Sequence, residues 1–308
     1  MKIVIALGGN ALGNNPAEQK ELVKVPAKKV ASLSQQGHTI VIGHGNGPQV
    51  GMIYNAFADA KKSNPKTAYV PFAEAGGMSQ GYIGYHMLAA IKTELNLLNL
   101  NKDVVYLETL TYVDGNDPAF ENPTKPVGPF YETYEEAQKA NPNSTIIDDA
   151  GRGFRVVVPS PKPVDFLGIK TIKSTINHGA ITIIGGGGGI PVIKHKNVIT
   201  GLDGVIDKDF TCSKIAEKID ADIFVILTAV DYVYVNWNKP DQKRLEVVTV
   251  DELEQYISEN QFAPGSMLPK VEAAINFVKR KPGKKAIIAD LKDIELAIEG
   301  KIGTTIIS

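Results

Sequence analysis

Short, unbroken apolar runs recur along the chain, most of them closed by glycine or an acid, and segments of helical length lie between most of them. The first run, Lys2–Leu7, is rich in β-branched residues and ends in Gly8-Gly9-Asn10. A run of this kind, with no alternating polar positions, reads as a strand buried on both faces. A helical stretch follows over 16–36, and the next run, 39–42, stops at Gly43-His44-Gly45-Asn46-Gly47. Further strands are expected at 104–107, 180–184, 223–227, 286–289 and 304–307, with helices at about 48–62, 78–98, 165–178, 208–219 and 267–280. Strands alternating with helices predict an α/β fold, a mainly parallel sheet covered on both faces.

One stretch interrupts that alternation. From about 115 onward come Pro118, Pro123, Pro126, Pro129, Pro142, Pro159 and Pro161, and then Pro163. Asn-Pro, Lys-Pro and Gly-Pro turn signals accompany them, with a short helical signal near 132–140. Compact domains rarely hold a structureless loop of such length. The segment 115–163 is therefore read as a small inserted subdomain projecting from the sheet.

Composition closes several alternatives. Thirty-three Lys and Arg balance 34 Asp and Glu for a formal net charge of −1, and 43% of residues are hydrophobic against 22% charged. A disordered chain would be less apolar and more highly charged. Near-neutrality also removes any bulk attraction for nucleic acid, so no nucleic-acid partner is expected. The lone cysteine, Cys212, rules out an intrachain disulfide framework and a Cys-rich zinc site. The five histidines have no metal-ligand spacing, and no metal-binding side chains are expected. The run 3–7 is shorter than the core of a signal peptide, and nothing approaches the ~20 apolar residues of a membrane span. A cytoplasmic location with no membrane association is the expectation. Two excesses remain: there are 29 glycines, and only four of the basic residues are arginine (Arg152, Arg155, Arg244 and Arg280).

The glycines gather where chemistry is expected. In open parallel sheets, ligands bind beyond the carboxyl ends of the strands. Three clusters fall there: Gly8-Gly9-Asn10, Gly43–Gly47, and the five consecutive glycines 185–189, which include Gly187 and Gly188. Each can bring backbone N–H groups close to an anion, and the set points to phosphate. Neither common fingerprint is met. Asn14-Asn15 stand where a P-loop needs Lys and Ser or Thr, and Val50 stands where a dinucleotide fold needs its third glycine. Three lysines sit in marked contexts: Lys125 between prolines in the insertion, Lys208 flanked by two carboxylates at a helix start, and Lys270 at the start of the helix 267–280. Phosphoryl transfer needs cations around the moving group and acids to fix those cations.

In combination these segments resemble the carbamate kinases of the amino-acid kinase family. The matching stretches are ALGGNAL (6–12), GHGNGPQVG (43–51), MSQGYIGY (78–85), NPTKPVGPF (122–130), DDAGRGFRVVVPSPKP (148–163), GGGGIPV (186–192), GVIDKDF (204–210), ILTAVD (226–231) and FAPGSMLPK (262–270). They run in family order over nearly the whole chain. The resemblance implies a single domain over 1–308, a three-layer αβα sandwich around a mainly parallel sheet of about eight strands, with a protruding lid, assembled as a homodimer. It also implies magnesium-dependent, reversible phosphoryl transfer between carbamoyl phosphate and ADP, giving ATP and carbamate, with no tightly bound organic cofactor and a place in arginine degradation.

By the same resemblance, Gly8, Gly9 and Asn10 would contact the transferred phosphoryl group, and Gly45, Asn46 and Gly47 would hold carbamate. Lys208 and Lys270 would neutralise the equatorial oxygens, Asp209 would orient both ammonium groups, and Lys125 would arrive from the lid. Thr228, Ala229, Val230, Asp231, Tyr232, Val233 and Met267 would form the adenine and ribose pocket. The chain departs from the family pattern at Gly43, Gly185, Phe154 and 74–77, none of which touches the lysines. Two alternatives stay open: a family relative acting on another carboxylate-like acceptor, and a non-catalytic nucleotide-binding sensor. A nicotinamide oxidoreductase is disfavoured by the missing fingerprint.

Overall fold

The computed structural model describes residues 1–8, 12–142, 144–149 and 151–308. From the N terminus run β1 (Lys2–Leu7), α1 (Pro16–Leu22), α2 (Lys24–Gln35), β2 (Thr39–His44), α3 (Gly47–Ser63) and α4 (Phe72–Leu97). Then come β3 (Val104–Tyr106), β4 (Leu110–Val113), β5 (Lys125–Tyr131), α5 (Tyr134–Ala140), β6 (Thr145–Asp148), β7 (Phe154–Val158), β8 (Pro163–Phe166) and α6 (Ile169–Asn177). The middle of the chain adds β9 (Ile181–Ile183), β10 (Ile190–His195), β11 (Val198–Gly201), α7 (Lys208–Ile219) and β12 (Ile223–Thr228). Last are β13 (Val233–Val235), β14 (Lys243–Leu245), β15 (Val247–Thr249), α8 (Val250–Ser258), α9 (Met267–Arg280), β16 (Lys285–Asp290), α10 (Ile294–Ile298) and β17 (Thr304–Ile307).

The central sheet has eight strands in the order β15-β17-β16-β12-β1-β2-β9-β3, parallel throughout except where β17 runs against β16. Its middle strands are buried on both faces, as their unbroken apolar runs require. In β1, Ile3, Ile5 and Leu7 pack with Val30 of α2, Ile83 and Ile91 of α4 and Ile298 of α10. Val4 and Ala6 turn to the other face, with Ile215 and Ala216 of α7 and Phe277 of α9. Period-two alternation thus divides one strand between two helical layers, and the result is a three-layer αβα sandwich.

The 16–36 stretch is two helices, broken at Val23, because Pro26 in the first turn of α2 has no N–H to continue an upstream ladder. Helix α4 starts six residues before the expected 78 and runs through Gly76 and Gly77. The proline-rich segment folds into the three-stranded sheet β5-β7-β6 with α5 beside it. Val127 of β5 packs on Val50 of α3 and Phe72 of α4, with Val156, Val158 and Val205 against the same cluster. Its two ends are clasped by Asp117, whose Oδ2 accepts the Lys162 N–H at 2.8 Å. A second sheet, β11-β10-β4-β8, flanks this base.

Candidate active site

Helix α7 begins directly at the mouth of a cavity of about 930 Å³, which opens beyond the carboxyl ends of β1 and β12. Asp207 caps that helix: its Oδ1 accepts the Asp209 N–H at 2.9 Å. With its other oxygen it accepts from Lys125 Nζ, also at 2.9 Å, so one carboxylate joins a helix start to a cation from the insertion. Asp209 follows in the first helical turn, only 1% exposed. Its Oδ1 accepts from Lys208 Nζ and its Oδ2 from Lys270 Nζ, each at 2.9 Å, with the two lysine side chains 12% and 14% exposed. Three ammonium groups therefore alternate with two carboxylates along one wall.

The electrostatics follow from that arrangement. Burial opposes the charge on Lys208, but Asp209 and Asp207 together outweigh it and hold its ammonium above the usual lysine range. Burial and the neighbouring Lys208 charge push Lys270 below its ordinary value, with only Asp209 bonded to it in return. Burial works against the Asp207 carboxylate as well, yet Lys125 and Lys208 keep it well below the usual range.

Beyond the lysines the cavity becomes apolar and aromatic. Thr228, Ala229, Val230, Tyr232 and Met267 line it, as do Gly8, Tyr234, Trp237, Phe262 and Pro269. Tyr234 and Trp237 lie with ring centroids 5.2 Å apart, and Arg244 sits over the Tyr232 ring at 5.1 Å. Two expected pocket residues serve it from outside. Val233 is fully buried in the core, its N–H donating to Thr304 Oγ1, and it does not line the cavity. Asp231 does not line it either; its Oδ1 accepts from the Tyr232 N–H and the Tyr234 hydroxyl and so shapes the turn beneath the aromatic wall.

The remaining glycines form a second compartment beside the first. Gly45 N–H donates to the Leu7 carbonyl, which brings the 45–47 turn against the end of β1 and next to Gly8. Gly9 and Asn10 lie outside the described residues. The turn at Gly186–Gly188 is pinned from three sides: Thr109 Oγ1 accepts from the Gly185 N–H, and Thr111 and Thr211 hydroxyls both donate to the Gly188 carbonyl. The Asn46 side-chain amide lies against Gly187, which has φ +60°, so any Cβ there would overlap the amide. A narrow crevice between Asn46, Gly76, Gln80, Gly186 and Gly187 completes this compartment. Gly47 is the first residue of α3.

One departure from the family pattern has a packing explanation. A Cβ at Gly43 would collide with Sγ of Cys212 on α7, so the fully buried thiol occupies the room a side chain there would need. Burial pushes that thiol well above the usual cysteine range. His44 is also fully buried: Nδ1 faces the Gly45 carbonyl at 2.9 Å, and since a carbonyl only accepts, that nitrogen carries the proton. Its Nε2 lies against Gly186 with no partner among the described residues, and burial lowers its pKa to about 4. Among the described residues no group of three or more His, Cys, Asp or Glu is placed to hold a metal ion. Likewise no helix of the described residues is long and apolar enough to cross a membrane.

Asp207, Tyr234 and Trp237 belong to this site without a place in the sequence reading. Asp207 was visible as one of the two acids beside Lys208; the aromatic pair lies on a hairpin that no periodicity announced.

A sheet open at its carboxyl edge, glycine turns and lysines fixed by acids define a phosphotransferase of the kinase type. The chain belongs to the amino acid kinase family, whose sequence model matches residues 1–290, and within it stands among the carbamate kinases. It is 59% identical over 306 residues to a carbamate kinase-like protein of Mycoplasma pneumoniae and 50% identical over 307 residues to a carbamate kinase of Staphylococcus haemolyticus, with 99% of each chain covered in both cases. Among solved structures, the carbamate kinase from Giardia lamblia bound to AMP-PNP superposes with a TM-score of 0.91 at 40% identity, covering 99% of this chain and 98% of that one.

Proposed function

We propose that the protein catalyses reversible transfer of a phosphoryl group between carbamoyl phosphate and ADP, yielding carbamate and ATP. The observation that carries this reading is the paired attachment of Lys208 and Lys270 to the two oxygens of Asp209, at the mouth of a cavity sized for a nucleotide. An oxygen of the ADP β-phosphate forms the new bond to phosphorus. The bond from phosphorus to the bridging oxygen breaks, and its electron pair leaves with carbamate as a carboxylate. No proton moves, so no general base is needed. What the reaction requires is charge compensation for the oxygens in flight.

Lys208 and Lys270 supply that compensation from positions fixed before the substrate arrives, which saves reorganisation during the step. Gly8 offers its backbone N–H beside them. Lys125 adds a third cation from the insertion, which acts as the lid and excludes water. Gly187, Gly188 and the 45–47 turn form the carbamate compartment, and the aromatic wall with Met267 receives the nucleoside. Magnesium suits this donor set as part of the nucleotide: the nearest carboxylates, Asp207 and Asp209, are already engaged by lysines, so phosphate oxygens and water would be its ligands. The single-domain organisation with a lid at 115–163, a homodimeric assembly, a cytoplasmic location and a role in forming ATP from arginine degradation complete the proposal. ATP formation from carbamoyl phosphate, ADP and Mg²⁺, run beside acetyl phosphate, tests it. Rapid formation with the first donor supports the reading, and none with either overturns it.

A further inference from the structure

The segment 78–81, Met-Ser-Gln-Gly, has so far no role, yet Ser79 and Gln80 are polar residues buried on the inner face of α4. Gln80 has a structural use: its Nε2 donates to the Thr109 carbonyl and its Oε1 accepts the Thr109 N–H, which steadies the residue that holds Gly185. Ser79 is different. Fully buried, it reaches the side chain of Asn46, whose Nδ2 donates to Ser79 Oγ at 2.8 Å.

Counting protons fixes the geometry. Ser79 Oγ lies 2.6 Å from the Gly76 carbonyl oxygen. Two oxygens that close need a proton between them, and the carbonyl has none to give. The hydroxyl proton is therefore committed to Gly76, and Ser79 can only accept from Asn46. It thereby selects the Nδ2 end of the amide and leaves the carbonyl end, Oδ1, facing away from α4. Asn46 also occupies the cap position of α3, where asparagine ordinarily bonds to its own helix, but here its side chain makes no such bond. The amide is thus withdrawn from capping, at a helix start where Pro48 in the first turn has no N–H to be capped.

We infer that Ser79 is a positioning residue that sets the donor and acceptor polarity of the acceptor-substrate compartment through Asn46. The inference rests on the functional reading above. A carbonyl oxygen in that compartment recognises a small planar carboxylate whose carbon also bears an N–H, as in carbamate, and disfavours one that bears a methyl group, as in acetate. A site built to accept a hydrogen bond rejects an analogue that cannot donate one, because its own acceptor is then left unpaired.

The test is steady-state ATP formation with carbamoyl phosphate and acetyl phosphate by the wild type, Ser79→Ala, Asn46→Ala and the double variant. Wild-type turnover of carbamoyl phosphate checks the functional reading independently. Ser79→Ala is expected to raise KM for carbamoyl phosphate about tenfold and to lower its preference over acetyl phosphate by a similar factor, the scale of one oriented hydrogen bond. KM for ADP stays unchanged, since Asn46 does not line the nucleotide cavity. Asn46→Ala alone shows the same loss of preference, and adding Ser79→Ala to it changes the ratio less than about twofold. The inference falls if Ser79→Ala shifts both KM values equally, if its effect persists in full on the Asn46→Ala background, or if Asn46→Ala leaves the preference intact.

Discussion

Replacing Asp209 by asparagine isolates the group on which the proposed chemistry turns. The amide keeps one acceptor for one lysine and presents an N–H to the other, so one buried ammonium loses its only bonded carboxylate and faces a second cation. The charge along this wall, three lysines against Asp207 and Asp209, rises from +1 to +2. Breaking a buried ion pair from one side costs about 3–5 kcal/mol. A chain of 308 residues unfolds with an entropy of about 0.65 kcal/mol/K. The ligand-free variant should therefore melt about 5–8 °C below the wild type. Saturating MgADP should raise its melting temperature by more than it raises that of the wild type, because phosphate oxygens replace the missing carboxylate as partners of the lysines. Turnover should fall by about 10²–10³-fold, since the cations are no longer held where charge develops. Scanning calorimetry with and without nucleotide, beside a coupled ATP assay, reads all three. An unchanged melting temperature together with turnover within about fivefold of wild type would refute the role given to Asp209.

Two further predictions concern the glycine compartment. His44 is held neutral, with a folded pKa of about 4 against 6.5 when unfolded, so the unfolded chain binds the extra proton between those values. Stability is thus fully present above about pH 6.5 and falls toward pH 4, by about 3 kcal/mol in all. His44→Gln should lose that part of the acid slope, seen as a smaller shift in urea midpoint between neutral and acid buffers; an identical slope would exclude His44 as its source. Gly187→Ala places a methyl group into the Asn46 amide at φ +60° and should cost about 1–3 kcal/mol of stability. It should also raise KM for carbamoyl phosphate more than KM for ADP; equal shifts would place the damage elsewhere.

How much of this was legible beforehand depended on what each residue type reveals by itself. Strands β1, β2, β12 and β16 were plain because burial on both faces demands an unbroken apolar run. The eighth strand, β15, was not: it is three residues long, lies at the sheet edge and pairs with one neighbour. The first turns of α4 were hidden by Gly76 and Gly77, which propensity disfavours in helices. Packing explains Gly77, where a Cβ would press on Glu108 and Ile190. Lysines beside acids announced their chemistry. Ser79 did not, since a serine on a buried helical face has no periodic signature, and its meaning depends on Gly76 and Asn46 arriving together.

The chain has a single tryptophan, and it stands on the rim of the cavity proposed for the nucleotide, half exposed and against Tyr234. All tryptophan emission from this protein therefore originates at one point on the cavity wall. Nucleoside entry, rearrangement of the 233–245 hairpin and quenching by small solutes can each be followed there without a label and without a background from the rest of the fold. The molecule carries its own optical reporter at the place where its ligand is expected to arrive.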